Sequence, residues 1–478
     1  MSAKAHPITI AANLWRVRWM VVVPLVRGFL HAAGGGGIIG WLHGTWVDLL
    51  VFLCMLTLSY LYARRVSLCW DERTLEICGG FFIQNQSVIP WDRLATISVI
   101  DAPYLRVFRA VRLKVDILGG PVRSPDFTLY LSPGVAKKLC EWHEGENPGE
   151  IPKVFRPTTL SVLVESLLSS NSLGGVAVAA TFFSGAGRLV GRQLTDGVVG
   201  ALEELTRSVN LGIFPPAAAA VAYILLAGWA ISFILTFCRY KGMEVRRVQG
   251  LVEVSGGLLT RRRYSIRTFQ ISYLNIRQSL LTRLLGLYSL SLSVVGFARM
   301  KGDIACLIPA GRPETASRER ERIFPGFNPA SPTLTTEGKG VFRFILEPLI
   351  PIGGIIFAAA ATFFSQPGFG VFTLFAGGMA MLPALYFLAV RLVDFKTGGI
   401  SMGEGKLTLS YSRGFYLHTV MAEREKVITF RLRQSFFQRR KGKCDVIVYT
   451  RTQGRSAHLL RGLPLSQAKI FLERVCER

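Results

Sequence analysis

Gly79-Gly80-Phe81-Phe82, then Ser87-Val88-Ile89-Pro90-Trp91-Asp92-Arg93, then Tyr104-Leu105-Arg106-Val107-Phe108-Arg109: this stretch decides the fold, because the chain writes it again. The second copy reads Gly256-Gly257-Leu258-Leu259, Tyr264-Ser265-Ile266-Arg267 and Leu281-Thr282-Arg283-Leu284-Leu285-Gly286-Leu287. The third is more worn: Arg413-Gly414-Phe415, Arg424-Glu425-Lys426-Val427-Ile428 and Gln434-Ser435-Phe436-Phe437-Gln438-Arg439. A repeat this long is a duplicated domain rather than a solenoid unit.

In the first copy, Leu75-Glu76-Ile77-Cys78 and Gln86-Ser87-Val88-Ile89 flank the glycine pair and read as two strands joined by a turn. Thr96 to Ile100, Val111 to Ile117 and Phe127 to Leu131 follow as strands, the middle one alternating cleanly. Ser132-Pro133 then opens a helix with Val135, Leu139 and Trp142 on one face. Strands closed by one terminal helix describe a small bent sandwich or barrel. The second copy is expected to lack a full closing helix, because Arg312-Pro313 through Pro325-Gly326 is charged and proline-bounded.

Between the copies lie six apolar stretches, near 19–41, 43–63, 160–183, 213–238, 344–364 and 370–392. Each is long enough to span about 30 Å of hydrocarbon. They pair into three transmembrane hairpins, each followed by a β domain. The expected boundaries are 1–63 for the N-terminal segment and hairpin, 64–153 for the first domain, 154–238 for the second hairpin, 239–330 for the second domain, 331–393 for the third hairpin and 394–478 for the third domain. Lys and Arg mark every inner end: Arg16 and Arg18, Arg64 and Arg65, Lys153 and Arg156, Arg239 and Lys241, Lys339 and Arg343, Arg391 and Lys396. The positive-inside bias therefore puts both termini and all three β domains in the cytoplasm. A secretory leader ending near His31-Ala32-Ala33 is the alternative for the first stretch; continuation into a second span and recurrence of the pair speak against it. Residues 186–209 carry Leu189, Val190, Leu194, Val198, Leu202, Leu205 and Val209 at helical spacing, as an interfacial amphipathic helix or a packed outer loop would.

The chain has 478 residues, half of them hydrophobic, and a formal net charge of +25. The basic excess calls for an anionic partner. Eight scattered cysteines without a CxxC read as free thiols, and six dispersed histidines offer no metal site. No P-loop, HExxH or GxSxG is present. No cofactor and no catalytic set is expected.

The order of strand, Gly-Gly-aromatic turn, Ile-Pro-x-x-Arg, Tyr-Leu-Arg-Val-Phe-Arg, strand and Leu-Ser-Pro helix resembles the bacterial pleckstrin-homology-like (PH-like) domain. With three hairpins and an early His6-Pro7, the whole arrangement resembles the YdbT-like membrane proteins of bacteria. The resemblance implies a seven-stranded bent antiparallel sheet with a C-terminal helix, a mixed α and β membrane protein of the bacterial inner membrane, and a role in envelope homeostasis or resistance to membrane-active peptides. It supplies no enzymatic activity. A small membrane protein with a related PH-like domain is the partner it brings to mind.

Charge is uneven. Residues 63–153 are net +1, 239–303 net +9 and 395–478 net +11. Two clusters are candidate anionic-surface sites: Arg261, Arg262, Arg263 and Arg267; and Arg431, Arg433, Arg439, Arg440, Lys441 and Lys443 around Phe436 and Phe437. Anionic lipid headgroups suit them, with the two phenylalanines dipping into the interface; a solvated face that only sets topology is the alternative. No nucleic-acid motif appears. Within the spans, Arg27 and Asp48 are the candidate intramembrane pair, against snorkelling without a partner or a transport site. Glu165 and Glu347, in the first turns of their spans, are expected to be solvated at the interface. The reading that follows is a membrane-apposed scaffold for a protein partner or anionic lipid; the alternative is a transporter or export component.

Overall fold

The computed structural model describes residues 1–16, 37–80, 83–118, 125–144, 152–170, 216–248, 250–294, 304, 306–336, 340–366, 368, 370–403, 405–452 and 454–476. The elements fall into three units of seven strands each. The first holds β1 (Ser2–Lys4), α1 (Ile8–Arg16), α2 (Gly37–Arg65), β2 (Ser67–Trp70), β3 (Thr74–Gly79), β4 (Asn85–Pro90), β5 (Leu94–Asp101), α3 (Pro103–Val107), β6 (Val111–Ile117), β7 (Phe127–Leu131) and α4 (Pro133–Glu144). The second holds β8 (Lys153–Phe155), α5 (Thr159–Ser169), α6 (Pro216–Tyr240), β9 (Glu244–Val248), β10 (Leu251–Gly256), β11 (Arg261–Arg267), β12 (Tyr273–Gln278), α7 (Leu280–Leu284), β13 (Tyr288–Ser293), β14 (Ile308–Gly311) and α8 (Pro313–Ile323). The third holds β15 (Leu334–Thr335), α9 (Val341–Ser365), α10 (Gly370–Thr397), β16 (Gly399–Gly403), β17 (Lys406–Arg413), β18 (Tyr416–Glu423), β19 (Val427–Arg433), α11 (Phe436–Arg440), β20 (Lys443–Thr452), β21 (Gly454–Pro464) and α12 (Leu465–Cys476).

The first strand of each unit lies before its long helices, not after them. β1 pairs with β2, β8 with β9 and β15 with β16. The helices are thus inserted between the first and second strands of one sheet. Units begun at residues 64, 239 and 394 leave that strand out. It is only two to three residues long, too short to print a period-2 pattern.

A 3₁₀ turn between the fourth and fifth strands (Trp91–Arg93, Thr268–Gln270, Arg424–Lys426) carries each chain from one sheet to the next. The second sheet does not close on its own unit. It joins edge to edge with the first sheet of the following unit, giving two seven-stranded sheets, β7-β6-β5-β11-β10-β9-β8 and β14-β13-β12-β18-β17-β16-β15. A four-stranded sheet, β1-β2-β3-β4, and a three-stranded one, β19-β20-β21, remain at the ends. At the first junction Ile97 faces Ser265, and at the second Leu274 faces Met421. Counted from the 3₁₀ turns, both are the fourth residue after a turn opposite the third residue before the next. The two junctions share one register.

Alternation builds the core. On β6, Val111, Leu113 and Val115 are buried while Arg112 and Lys114 are only partly covered. Three apolar clusters result, one per unit; the second takes in Met421 from the third unit, and Tyr273 of the second packs on the third. On α4, Leu139 is buried as expected, but Ala136 and Cys140 complete its face and Trp142 stays exposed. The second unit does have a closing helix, α8. Its proline does not oppose it, because Pro313 occupies the first turn, where no N–H is needed. Ala316, Arg320 and Ile323 then line one buried face.

Among the described residues, two helices, α9 and α10, are long and apolar enough to cross a membrane, and they pack together. Their outward side chains are apolar: Ile350, Phe357, Phe364 and Leu374 are exposed. A core helix of a soluble fold would bury such residues. Arg27, most of the first span and residues 186–209 lie outside the described residues; Asp48 is on α2, and its side chain is likewise outside them.

Candidate membrane-contacting site

Each unit carries one short helix between its fifth and sixth strands: α3, α7 and α11. Five residues cannot hold a helix alone. Local chemistry starts each one. Pro103 opens α3 with a fixed φ. Ser279 and Ser435 cap α7 and α11 in capping boxes with Thr282 and Gln438. Burial then fixes them. Leu105 is sealed beneath α3. Buried Gln438 donates from Nε2 to Asp445 Oδ1 at 2.6 Å.

What these helices turn outward is apolar. Tyr104, Val107 and Phe108 are exposed on the first, Leu281, Leu284 and Leu285 on the second, Phe436 and Phe437 on the third. Exposure reaches 79% for Val107, 84% for Leu284 and 68% for Phe437. Cations flank them: Arg106 and Arg109, Arg283, then Arg439, Arg440 and Lys441. The Arg440 guanidinium lies over the Phe436 ring at 4.7 Å. Exposed large apolar side chains repeated at one fold position mark a contact surface rather than scattered chance exposure.

Their place in the fold gives the surface a direction. Each short helix abuts the helix that leads into the long apolar segment of its own unit. Tyr104 and Phe108 share a cavity with Ile10, Leu14 and Trp15 of α1. Ser279 and Thr282 share a small cleft with Glu165 and Leu168 of α5. Phe437 lines a groove with Phe342 and Leu346 of α9. A second contact ties α7 to α10: the Leu280 N–H donates to the Tyr386 hydroxyl at 3.0 Å.

The sequence clusters distribute unevenly over this surface. Arg261, Arg262, Arg263 and Arg267 lie on β11, the junction strand. Arg263 is ion-paired with Glu253, which Arg246 also approaches, and Arg267 reaches Asp92 of the first unit at 3.2 Å. Arg262 is half-buried and partnered. The charges of Arg263 and Arg267 are therefore met by carboxylates of the protein itself. Arg431 and Arg433 sit exposed on β19, an edge strand. Phe436, Phe437, Arg439, Arg440 and Lys441 are exposed together at α11, whereas Lys443 is buried.

Sequence reading missed the fastening between helices and sheets. Glu165 and Glu347 each stand seventh in their helix, α5 and α9, and both are met by arginines. Glu165 is buried and accepts from Arg277 of β12 at 3.2 Å. Glu347 meets Arg343, Arg391 and Arg461, at 3.4, 2.7 and 3.3 Å. Arg343 also holds buried Asp445, and Ser412 donates to Asp394 at 2.6 Å. A carboxylate in the first two turns of an apolar helix, with unassigned arginines in the following sheet, was the available signal.

Two histidines of the third unit are held neutral. Burial, followed by nearby Arg277 and Arg413, lowers His418 on β18 to about 4. Burial, followed by His418 and Arg413, lowers His458 on β21 to about 4. His458 lies between the Tyr411 hydroxyl, 2.8 Å from Nδ1, and the Thr450 hydroxyl, 3.0 Å from Nε2. His418 Nδ1 contacts the Asn275 side chain across the second junction. Among the described residues no group of His, Cys, Asp and Glu is placed to hold a metal.

A family model described as Bacterial PH domain matches residues 22–144 and again 197–320. The matches take in α2 to α4 of the first unit and α6 to β14 of the second. No curated protein and no solved structure matches the chain.

Proposed function

The chain belongs to the bacterial PH domain family, and from that premise we propose that it is a non-enzymatic binding protein built into the bacterial inner membrane. Three hairpins hold three PH-like units against the cytoplasmic face, as in the YdbT-like proteins the sequence resembles. The units bind anionic lipid headgroups and present a scaffold to a protein partner, a small membrane protein with a related PH-like domain being the partner the resemblance favours. Envelope homeostasis or resistance to membrane-active peptides is the setting that goes with that resemblance.

One observation carries the reading: the same short helix in all three units exposes apolar side chains among arginines, beside the helix that leads to the apolar segment. Burying one Phe or Leu in the interface contributes about 1.5–3 kcal/mol at most. Each flanking cation near an anionic surface adds about 1 kcal/mol. Three such contacts on one chain act together, so the units stay pressed to the lipid even where one alone would lift off.

The test is native mass spectrometry of the full chain extracted in mild detergent. Wild type retains anionic phospholipid through purification. The R439Q/R440Q/K441Q variant retains several-fold less, with unchanged elution. Equal retention by both, or retention of zwitterionic lipid alone, contradicts the proposal.

A further inference from the structure

We propose that copies of this chain assemble head to tail, the outer edge of β19 in one copy pairing with the outer edge of β4 in the next. Within the chain this union is made twice. The fifth strand of one unit meets the fourth strand of the following unit, as β5 with β11 and as β12 with β18. Two such edges are left over: β4, the fourth strand of the first unit, and β19, the fifth strand of the last. Among the described residues no strand pairs with either outer edge. The described residues thus leave open the two halves of an interface that the chain already uses twice.

Exposure follows from the missing neighbour. Val88 on β4 is 51% exposed, and Ile428 just inside β19 is 66% exposed. Ser265 and Met421, which occupy the position of Val88 in the other units, are buried in the junctions. Unpaired edges of this kind invite another strand.

The shared register can be carried to the ends. It sets Thr429 opposite Ile89, Phe430 opposite Val88, Arg431 opposite Ser87, Leu432 opposite Gln86 and Arg433 opposite Asn85. No like charges meet. Pro90 falls outside the paired span, as Arg267 does at the first junction, so its missing N–H forfeits no ladder bond. The arginines of β19 are no barrier either, since β11 pairs along Arg261, Arg262 and Arg263.

A second contact recurs beside the strands. At the first junction, Gln270, the last residue of its 3₁₀ turn, donates to the Asp92 carbonyl at 3.4 Å. At the second, Lys426, in the same place, donates to the Phe269 carbonyl at 2.6 Å. The residue in that place in the first unit is Arg93, another long donor, and it is exposed. Its target across an end-to-end junction is the Glu425 carbonyl, where an exposed carboxylate adds opposite charge. The interface is heterologous, so successive copies close into a ring or run on as a row.

The experiment uses two full-length, cysteine-free chains with different tags, one carrying Val88→Cys and the other Phe430→Cys. They are co-reconstituted in liposomes and oxidised. The proposal predicts a mixed-tag dimer from the pair and none from either chain alone. Adding Arg93→Glu to the first chain lowers the yield at least fivefold. Adding Glu425→Arg to the second restores it, which a misfolded variant would not allow. Dimers from Val88→Cys alone would mean like-edge pairing and overturn it. So would the absence of a mixed dimer, or one that forms only when a single-unit chain of the family is supplied. The lipid-retention variant R439Q/R440Q/K441Q leaves the cross-link unchanged, which separates this inference from the proposed lipid contact.

Discussion

Glu347, in the second turn of α9, is gripped by Arg461, on the last strand of the sheet that follows it, at 3.3 Å. The carboxylate also takes Arg391 from α10 at 2.7 Å. One acidic side chain thus fastens both long helices to the third unit. Removing it leaves Arg391 and Arg461, both nearly buried, with Asp394, 3.9 Å from each, as their remaining counter-charge. Glu347→Ala is expected to destabilise the third unit by about 3 kcal/mol. The readout is the thermal transition in nanodiscs, which should fall by roughly 5–10 °C. An unchanged transition would mean that Asp394 and Asp445 carry the arginines alone.

The worn glycine turn of the third unit has a physical reason. Gly80 and Gly257 adopt φ of 111° and 109°, where an added Cβ would strike the carbonyls of Ile83 and Thr260. Gly414 closes a two-residue connection between Arg413 and Tyr416 at φ 58°, with open space around it. Ala is tolerated there far better. Gly257→Ala should cost about 3 kcal/mol and Gly414→Ala about 1 kcal/mol. Equal losses in denaturation of the two variants would contradict this account of the turns.

Acid should loosen the second junction and the third core. His418 and His458 are lowered from 6.5 to about 4 in the folded chain. The unfolded chain therefore binds more protons between those values. The stability they contribute is fully present above pH 6.5 and is lost as pH falls toward 4. For buried His458 the loss is on the order of 3 kcal/mol. Thermal transitions of wild type and His458→Asn across that range test it. The variant should show the shallower dependence, and parallel curves would assign the acid sensitivity elsewhere.

Much of this architecture was legible because it rests on local signals. Glycine at φ above 100° forces the hairpin turns, so Gly79-Gly80 and Gly256-Gly257 could be read directly. The alternation of Val111, Leu113 and Val115 likewise marked a half-buried strand. The motif Tyr104 to Arg109 was found as a repeat, although its role as an outward-facing helix tip needed the sheet that buries Leu105. Long-range pairing was not legible. Nothing local in Thr96 to Asp101 says that its partner is Arg261 to Ile266, more than 150 residues away. Arg267 of β11 read as part of a free patch for that reason, its partner Asp92 lying in the first unit. Short strands before the long helices escaped notice because three residues carry no period. Glu165 and Glu347 were read as wet because depth in a helix says nothing of which arginine the fold brings near.

The central claim is that three helix tips touch lipid. Depth-dependent quenching tests it most directly. An environment-sensitive fluorophore is placed on Val107→Cys, Leu284→Cys or Phe436→Cys in a cysteine-free full-length chain, in liposomes containing anionic lipid. Lys137→Cys, on the exposed face of α4, is the reference. The account predicts blue-shifted emission at all three tips, quenched by nitroxide lipids labelled near the glycerol level and shielded from iodide. Residue 137 should show the reverse. Tips that respond to iodide as residue 137 does would contradict it.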